Sequence, residues 1–214
     1  MNERKKANRK TEPVQAANGM STRRKEILNI LNQQESNWSQ CVMDYCGNHT
    51  PDTELLHTLV ELGNNDTGRP ATRVLTKQAV IAELQRNHNY YLNHALPQIS
   101  LSFSRVLADR PEHFSLHLCH TLYEVFERAL IEHIREEEHD FQAFNKGLKA
   151  GQDCFHAHHD ETAALDQIIE MLSEQTTSKS FDPCHILVLR LQNLSNDLKI
   201  HTFVEEKLLM PMLK

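Results

Sequence analysis

The sequence predicts an all-α protein, an up-down-up-down four-helix bundle preceded by a small helical region. Only 6 of the 214 residues are glycine, and aromatic residues make up 6% of the chain. Long stretches are instead rich in Leu, Glu, Gln, Lys and Ala, which favour helix over strand. Within these stretches apolar residues recur every three or four positions. That spacing is typical of helices that each bury one face.

Changes in composition divide the chain into four parts. Residues 1–20 are polar and without periodicity, which predicts a disordered basic tail. Residues 21–62 contain short apolar patterns and predict a small helical N-terminal region that buries little by itself. Residues 63–75 include the turn-rich sequence GNNDTGRP and predict a linker. Residues 76–214 then form the predicted bundle.

Four long helices are predicted after the linker, at about 76–107, 112–146, 152–175 and 182–214. Thr76 is placed to cap the start of the first helix, and Pro97 predicts a bend within it. Asp182 followed by Pro183 combines a capping residue with proline at the first helical position. This pair is a strong start signal for the fourth helix.

Charge and cysteine content limit the expected compartment and partners. The formal net charge is −6, although residues 1–25 carry eight Lys or Arg against two Glu. We interpret this arm as a solubilising tail, and contact with nucleic acid or a membrane surface is the less favoured alternative. No stretch approaches the ~20 apolar residues that span a bilayer, and an apolar secretory signal is absent, so no membrane partner is expected.

Five cysteines without a CxxC pair predict reduced thiols in a cytoplasmic protein, a monomer or homodimer.

The predicted fourth helix carries two polar residues where its apolar seam should continue. A histidine and a glutamate, one turn apart, interrupt a row of leucines. A carboxylate that faces an apolar core costs several kcal/mol unless it is paired or bound to a metal. The interruption therefore predicts a buried ion pair or a metal site. The full row is Leu187, Leu191, Leu194, Leu198, His201, Glu205, Leu208 and Met212.

The other three helices supply further donors on their apolar stripes. His133 and Glu137 in the second helix repeat the same four-residue spacing, which places them on one helix face. His159 lies on the inward stripe of the third helix, and His88 lies on that of the first. His94 falls outside the stripe of the first helix and is interpreted as a surface residue.

These positions together predict a metal centre inside the bundle. A single histidine on an apolar face is usually a hydrogen-bonded core residue, but six donors on four helices with two identical spacings favour metal ligation. Two ions bridged by two carboxylates, each with two imidazoles, would use all six groups. Such nitrogen and oxygen donors suit iron, manganese or zinc, although zinc is more often four-coordinate without bridging carboxylates. The predicted ligands are His88, His133, Glu137, His159, His201 and Glu205.

The segments around these residues resemble the hemerythrin-like (HHE) family. They are most similar to its repair of iron centres (RIC) branch, which acts on damaged iron–sulfur clusters. A stretch before the linker resembles the N-terminal MDYCCG sequence of that branch, with one cysteine fewer. The matching segments are His88 with Leu96–Pro97, His133–Glu138 (HIREEE), His159–Glu161 (HDE), His201–Glu205 (HTFVE) with Leu209–Pro211 (LMP), and Met43–Gly47 (MDYCG).

The resemblance implies a di-iron protein with terminal histidines. Glu137 and Glu205 would bridge two iron ions that also share an oxo or hydroxo group, and His94 is the alternative to His88 as the first-helix ligand. The implied function is repair of iron–sulfur clusters damaged by nitrosative or oxidative stress, through iron donation or protection. Damaged iron–sulfur proteins or cluster scaffold proteins would be the partners, with O2 or NO as ligands. The alternatives are an O2- or NO-binding sensor or carrier, and a di-iron NO or peroxide reductase.

Overall fold

The computed structural model of the protein describes residues 37–64, 75–146, 158–176 and 182–213. Throughout these ranges the chain forms helices and turns and contains no strand, which confirms the all-α class. None of the described helices is long and apolar enough to cross a lipid bilayer. The helices are α1 (Asn37–Asn48), α2 (Thr53–Asn64), α3 (Lys77–Tyr90), α4 (Leu96–Asp109), α5 (Phe114–Asn145), α6 (His158–Ser173), α7 (Pro183–Val204) and α8 (Met210–Leu213).

Some predicted segments lie outside the described residues. These are the tail at 1–20, the following residues up to 36, most of the linker at 65–74, and the residues 147–157 that precede α6.

Both predicted capping residues are confirmed. The side-chain oxygen of Thr76 accepts a hydrogen bond from the backbone N–H of Ala79 at 3.2 Å and starts α3. The carboxylate of Asp182 accepts one from the backbone N–H of Cys184 at 2.9 Å and starts α7. The guanidinium of Arg110 also donates to both oxygens of Asp182, at 3.0 and 3.1 Å. The turn after α4 is thereby fastened to the start of α7.

Two groups of buried apolar side chains hold the described helices together. In the first, α4 and α6 pack against α7, and α5 packs against α6. In the second, α1 and α2 cover the end of the fold where α3 begins and where α5 and α7 end. The N-terminal helices are therefore part of the same packed structure as the long helices. Large members of the second group are Tyr45, Leu56, Leu59, Ile81, Leu84 and Phe141.

Two π-helical turns interrupt otherwise continuous helices, and each precedes a proline by the same distance. One turn, Tyr91–Ala95, joins α3 to α4, and the second, Glu205–Leu209, joins α7 to α8. Proline has no N–H to continue an α-helical ladder, and its ring clashes with the carbonyl four residues earlier. A widened turn relieves that clash, and Pro97 and Pro211 each lie two residues after one. The bend predicted at Pro97 thus takes the form of a π turn.

Hydrogen bonds to a buried carboxylate fasten the end of α1 to α7. His49 Nε2 lies 2.9 and 3.1 Å from the two carboxylate oxygens of Asp197, and the side chain of Asn48 donates to the same carboxylate at 3.2 Å. Both His49 and Asp197 are buried. Because a buried carboxylate needs such partners, the end of α1 and the residue after it supply hydrogen bonds to a side chain of α7.

Candidate metal centre

Four buried side chains from three helical segments converge inside the fold. His88 comes from α3, Glu137 from α5, His201 from α7, and Glu205 from the start of the second π turn. Their potential ligand atoms all lie within 4.8 Å of one another. Each residue is at most 2% exposed. This group could hold a metal ion, since it offers two imidazoles and two carboxylates.

Glu137 lies at the centre of the group and presents its two oxygens to different imidazoles. Its Oε2 is 3.0 Å from His88 Nε2 and 3.8 Å from His201 Nε2. Its Oε1 is 2.8 Å from His133 Nε2. His201 Nε2 in turn lies 3.2 Å from Glu205 Oε1. The two oxygens of this one carboxylate therefore face different imidazoles.

The first-helix histidine is oriented by a carboxylate on its other side. His88 Nδ1 lies 2.8 Å from Glu138 Oε1, and Gln85 donates to Glu138 Oε2 at 2.8 Å. The hydrogen bond with His88 is the main reason that the pKa of Glu138 falls below its usual range. The ring of His88 is also stacked on Phe141 at 5.8 Å. A proton held on Nδ1 leaves Nε2 as the donor to a metal.

A hydrogen-bonded chain connects His201 to the N-terminal helix. Its Nδ1 lies 3.5 Å from the side-chain amide of Asn87. The Tyr45 hydroxyl donates to Glu83 Oε1 at 2.6 Å, with Asn87 Oδ1 3.1 Å away, and Arg86 pairs with Glu83. Burial, followed by the charge of Glu83, raises the pKa of Tyr45 well above its usual range. The tyrosine thus stays protonated and available as a donor.

Electrostatics in the group favour a cation between the carboxylates. Burial lowers the pKa of His201, but the nearby carboxylates of Glu205 and Glu137 raise it by a larger amount. The resulting pKa is about 9, above the ordinary value. In the metal-free protein His201 therefore carries a proton at neutral pH and supplies positive charge to the two glutamates. A bound metal ion would replace this proton, because a histidine ligand has to be deprotonated at the coordinating nitrogen.

The structure brings together five of the six predicted ligands and does not describe the side chain of the sixth. His88, Glu137, His201 and Glu205 form the group, and His133 contacts Glu137 from its flank. His159 belongs to α6, but its side chain lies outside the described residues. His94 is exposed and stacks on Tyr90 at 6.0 Å, away from the buried group.

The sequence analysis did not identify the residues that orient the imidazoles. Glu138 lies one position after Glu137, and Asn87 lies one position before His88. Both adjoin predicted ligands, and Glu83 lies four residues before Asn87 on the same helix face. Their position next to predicted ligands was the one sign in the sequence that these polar residues could orient the imidazoles.

The chain was compared with models of protein families, with curated protein sequences and with solved structures. None of them matches it.

Proposed function

We propose that the protein holds a non-haem di-iron centre in a hemerythrin-like four-helix bundle and uses it to repair iron–sulfur clusters damaged by nitrosative or oxidative stress. The position of Glu137 is the observation that carries the proposal. Its two oxygens face separate imidazoles at 3.0 and 2.8 Å, and this arrangement suits two ions better than one.

The donor set fits two iron ions. The described residues that would hold the ions are His88, His133, Glu137, His201 and Glu205. Mixed imidazole and carboxylate donors suit iron and manganese, whereas structural zinc usually takes four ligands without a shared carboxylate. An iron pair bound there would supply exchangeable iron and positions for O2 or NO.

The packing of the N-terminal region adds support. Met43–Gly47, the stretch that resembles the RIC branch, lies in α1, and Tyr45 within it contacts Asn87 beside His201. Two of the segments that carry the resemblance, Met43–Gly47 and His201–Glu205, are thus joined through hydrogen bonds by way of Asn87. A partner protein that displaced α1 would disturb the hydrogen bonding behind His201.

Iron content tests the centre. The full chain, loaded with ferrous iron without O2 and desalted, should keep about two irons, as a two-ion site implies. His201→Ala and Glu205→Ala should each lose at least one, whereas His185→Ala, an exposed histidine on the same helix, should keep both. Two irons retained in both site variants would show that these residues are not ligands.

A reconstitution assay tests the repair function. A purified dehydratase with a four-iron, four-sulfur cluster is inactivated with NO and then incubated without O2 with the iron-loaded protein. Recovery should exceed that given by the same amount of free ferrous iron with reductant, and the His201→Ala protein should not support it. Equal recovery with free iron would contradict iron donation.

Ligand binding to the reduced protein distinguishes the alternative function. The ligand group is enclosed, with exposures of 0 to 2%, and such enclosure would also suit an O2- or NO-binding sensor or carrier. A stable adduct that forms and dissociates with O2 pressure would favour that alternative. Continuous NO or peroxide consumption with an electron donor would instead indicate a reductase.

A further inference from the structure

Two buried hydroxyls near the metal-ligand group lack a hydrogen-bond partner among the described residues, those of Tyr91 and Thr202, and that of Tyr91 is the more deeply buried. Tyr91 is fully buried, and its Oη contacts no donor or acceptor among the residues that the structure describes. The other two fully buried tyrosines differ in this respect. Tyr45 bonds to Glu83 at 2.6 Å, and Tyr123 bonds to the Leu96 carbonyl at 3.3 Å. A hydroxyl buried without a partner destabilises the fold, so one at this position calls for an explanation.

The location of Tyr91 supplies that explanation. It begins the first π turn, three residues after His88, and its ring meets the His201 ring edge-on at 5.7 Å. π turns inside helices frequently occur at functional sites. Tyr91 therefore lies against the imidazole of one proposed ligand and on the same helical segment as another.

The nearby carboxylate of Asp197 does not explain why the hydroxyl of Tyr91 is buried without a partner. Asp197 already accepts bonds from His49 and Asn48, at 2.9 to 3.2 Å, so it does not depend on Tyr91 for a partner.

We propose that Tyr91 donates a hydrogen bond to a small exogenous ligand bound at the metal centre, either an oxygen species such as water or hydroxide or a small anion. The hydroxyl is then unpartnered only while no such ligand is bound. This inference rests on the proposed metal centre. Tyr91 would position the ligand and favour its anionic forms, because hydrogen bonds to a charged acceptor are stronger than those to a neutral one.

The first test uses the metal-free full chain. Tyr91→Phe removes a hydroxyl that has no partner, so thermal unfolding should occur at the wild-type temperature or above. Tyr123→Phe removes a bonded hydroxyl from a side chain that is equally buried, so that protein should unfold at a lower temperature. If both variants lose stability to the same extent, Tyr91 already has a partner in the metal-free protein and the proposal is wrong.

The second test uses the iron-loaded protein and azide as the probe ligand. Azide is titrated into the oxidised protein and followed by its optical charge-transfer band. Tyr91→Phe should weaken azide binding about tenfold, the loss expected for one hydrogen bond to a bound anion. Tyr90→Phe, the half-buried neighbour, should bind azide as the wild type does.

The outcomes separate this inference from the proposed function. If wild-type and Tyr91→Phe proteins both hold two irons and bind azide equally, the hydrogen-bond proposal fails while the di-iron centre stands. If the wild type holds no iron, the centre itself is refuted, and this inference with it. Weaker azide binding in Tyr91→Phe at unchanged iron content supports both.

Discussion

The proton on His201 makes the stability of the metal-free protein depend on pH. In the folded chain the carboxylates of Glu205 and Glu137 outweigh burial and raise the pKa of this imidazole to about 9. In the unfolded chain the group returns to its ordinary value of about 6.5. The folded state therefore binds the proton more tightly than the unfolded state does, and protonation stabilises the fold.

The size of the effect follows from the difference between the two pKa values. Each pKa unit corresponds to about 1.4 kcal/mol, so a shift from about 6.5 to about 9 corresponds to about 3.5 kcal/mol. Because the folded pKa is the higher one, this stabilisation is fully present below about pH 6.5. It is lost progressively as the pH rises and is gone once the pH exceeds about 9. The expected result is a decline in the free energy of unfolding across this interval.

Urea unfolding of chelator-treated protein at several pH values between about 6 and 10 measures this decline. Lysines and cysteines also titrate in the upper part of that range. The informative quantity is therefore the difference in the free energy of unfolding between wild type and His201→Gln at each pH. His185→Gln, an exposed histidine on the same helix, should follow the wild type. The metal-loaded protein should show a smaller decline, since a coordinated imidazole carries no extra proton. If the free energies of unfolding of wild type and His201→Gln differed by the same amount at every pH measured, the proposed role of the His201 proton would be refuted.

Three further substitutions test the supports of the site. Glu138→Gln should weaken iron affinity about 10- to 100-fold, measured by competition with a chelator, because the imidazole that it orients loses its carboxylate partner. His49→Ala should lower the free energy of unfolding in urea by about 3–5 kcal/mol, since it leaves the charge of Asp197 buried without its main partner. Pro211→Ala permits regular α-helix where the second π turn now lies and should rotate Glu205 away from the group, with a measurable loss of bound iron.

Matched controls separate these effects from general damage. Glu136→Gln changes an exposed carboxylate two positions from Glu138 and should not alter iron affinity. His94→Ala removes an exposed histidine and should leave stability within about 0.5 kcal/mol of wild type. Pro111→Ala changes a proline in an exposed turn and should keep the iron content. A Pro211→Ala protein that held its full iron would show that the π turn does not position Glu205.

The sequence predicts the ligand group better than it predicts the surroundings of that group. His201 and Glu205 stand out because they interrupt a row of leucines, and Glu137 follows His133 at the same spacing. Such positions depend on the periodicity of a single helix, which a sequence contains. The Glu138 contact with His88 depends instead on the rotation of α5 relative to α3. Packing between helices fixes that rotation, and periodicity does not determine it to within a hydrogen bond.

The same distinction explains why Tyr45 and His49 were not predicted to contribute. Their partners, Glu83 and Asp197, lie 38 and 148 residues away along the chain. Nothing local to α1 indicates which surface it covers. Tyr45 and His49 meet these buried carboxylates because α1 packs against α3 and α7. The pairing is therefore a product of tertiary packing.

The two π turns affect which side chains face the site, and a regular helical periodicity does not predict this effect. Each begins with a residue at the centre, Tyr91 in one case and Glu205 in the other, and each ends two residues before a proline. A π turn places one extra residue in the helix, so the side chains before and after it no longer share one α-helical stripe. Leu96 and Ile99 can thus return to the apolar core after Tyr91 has pointed toward His201. In both helices a proline lies six positions after the polar residue that begins the π turn. The π turn lets that residue face the site, and the helix after it packs against the apolar core again.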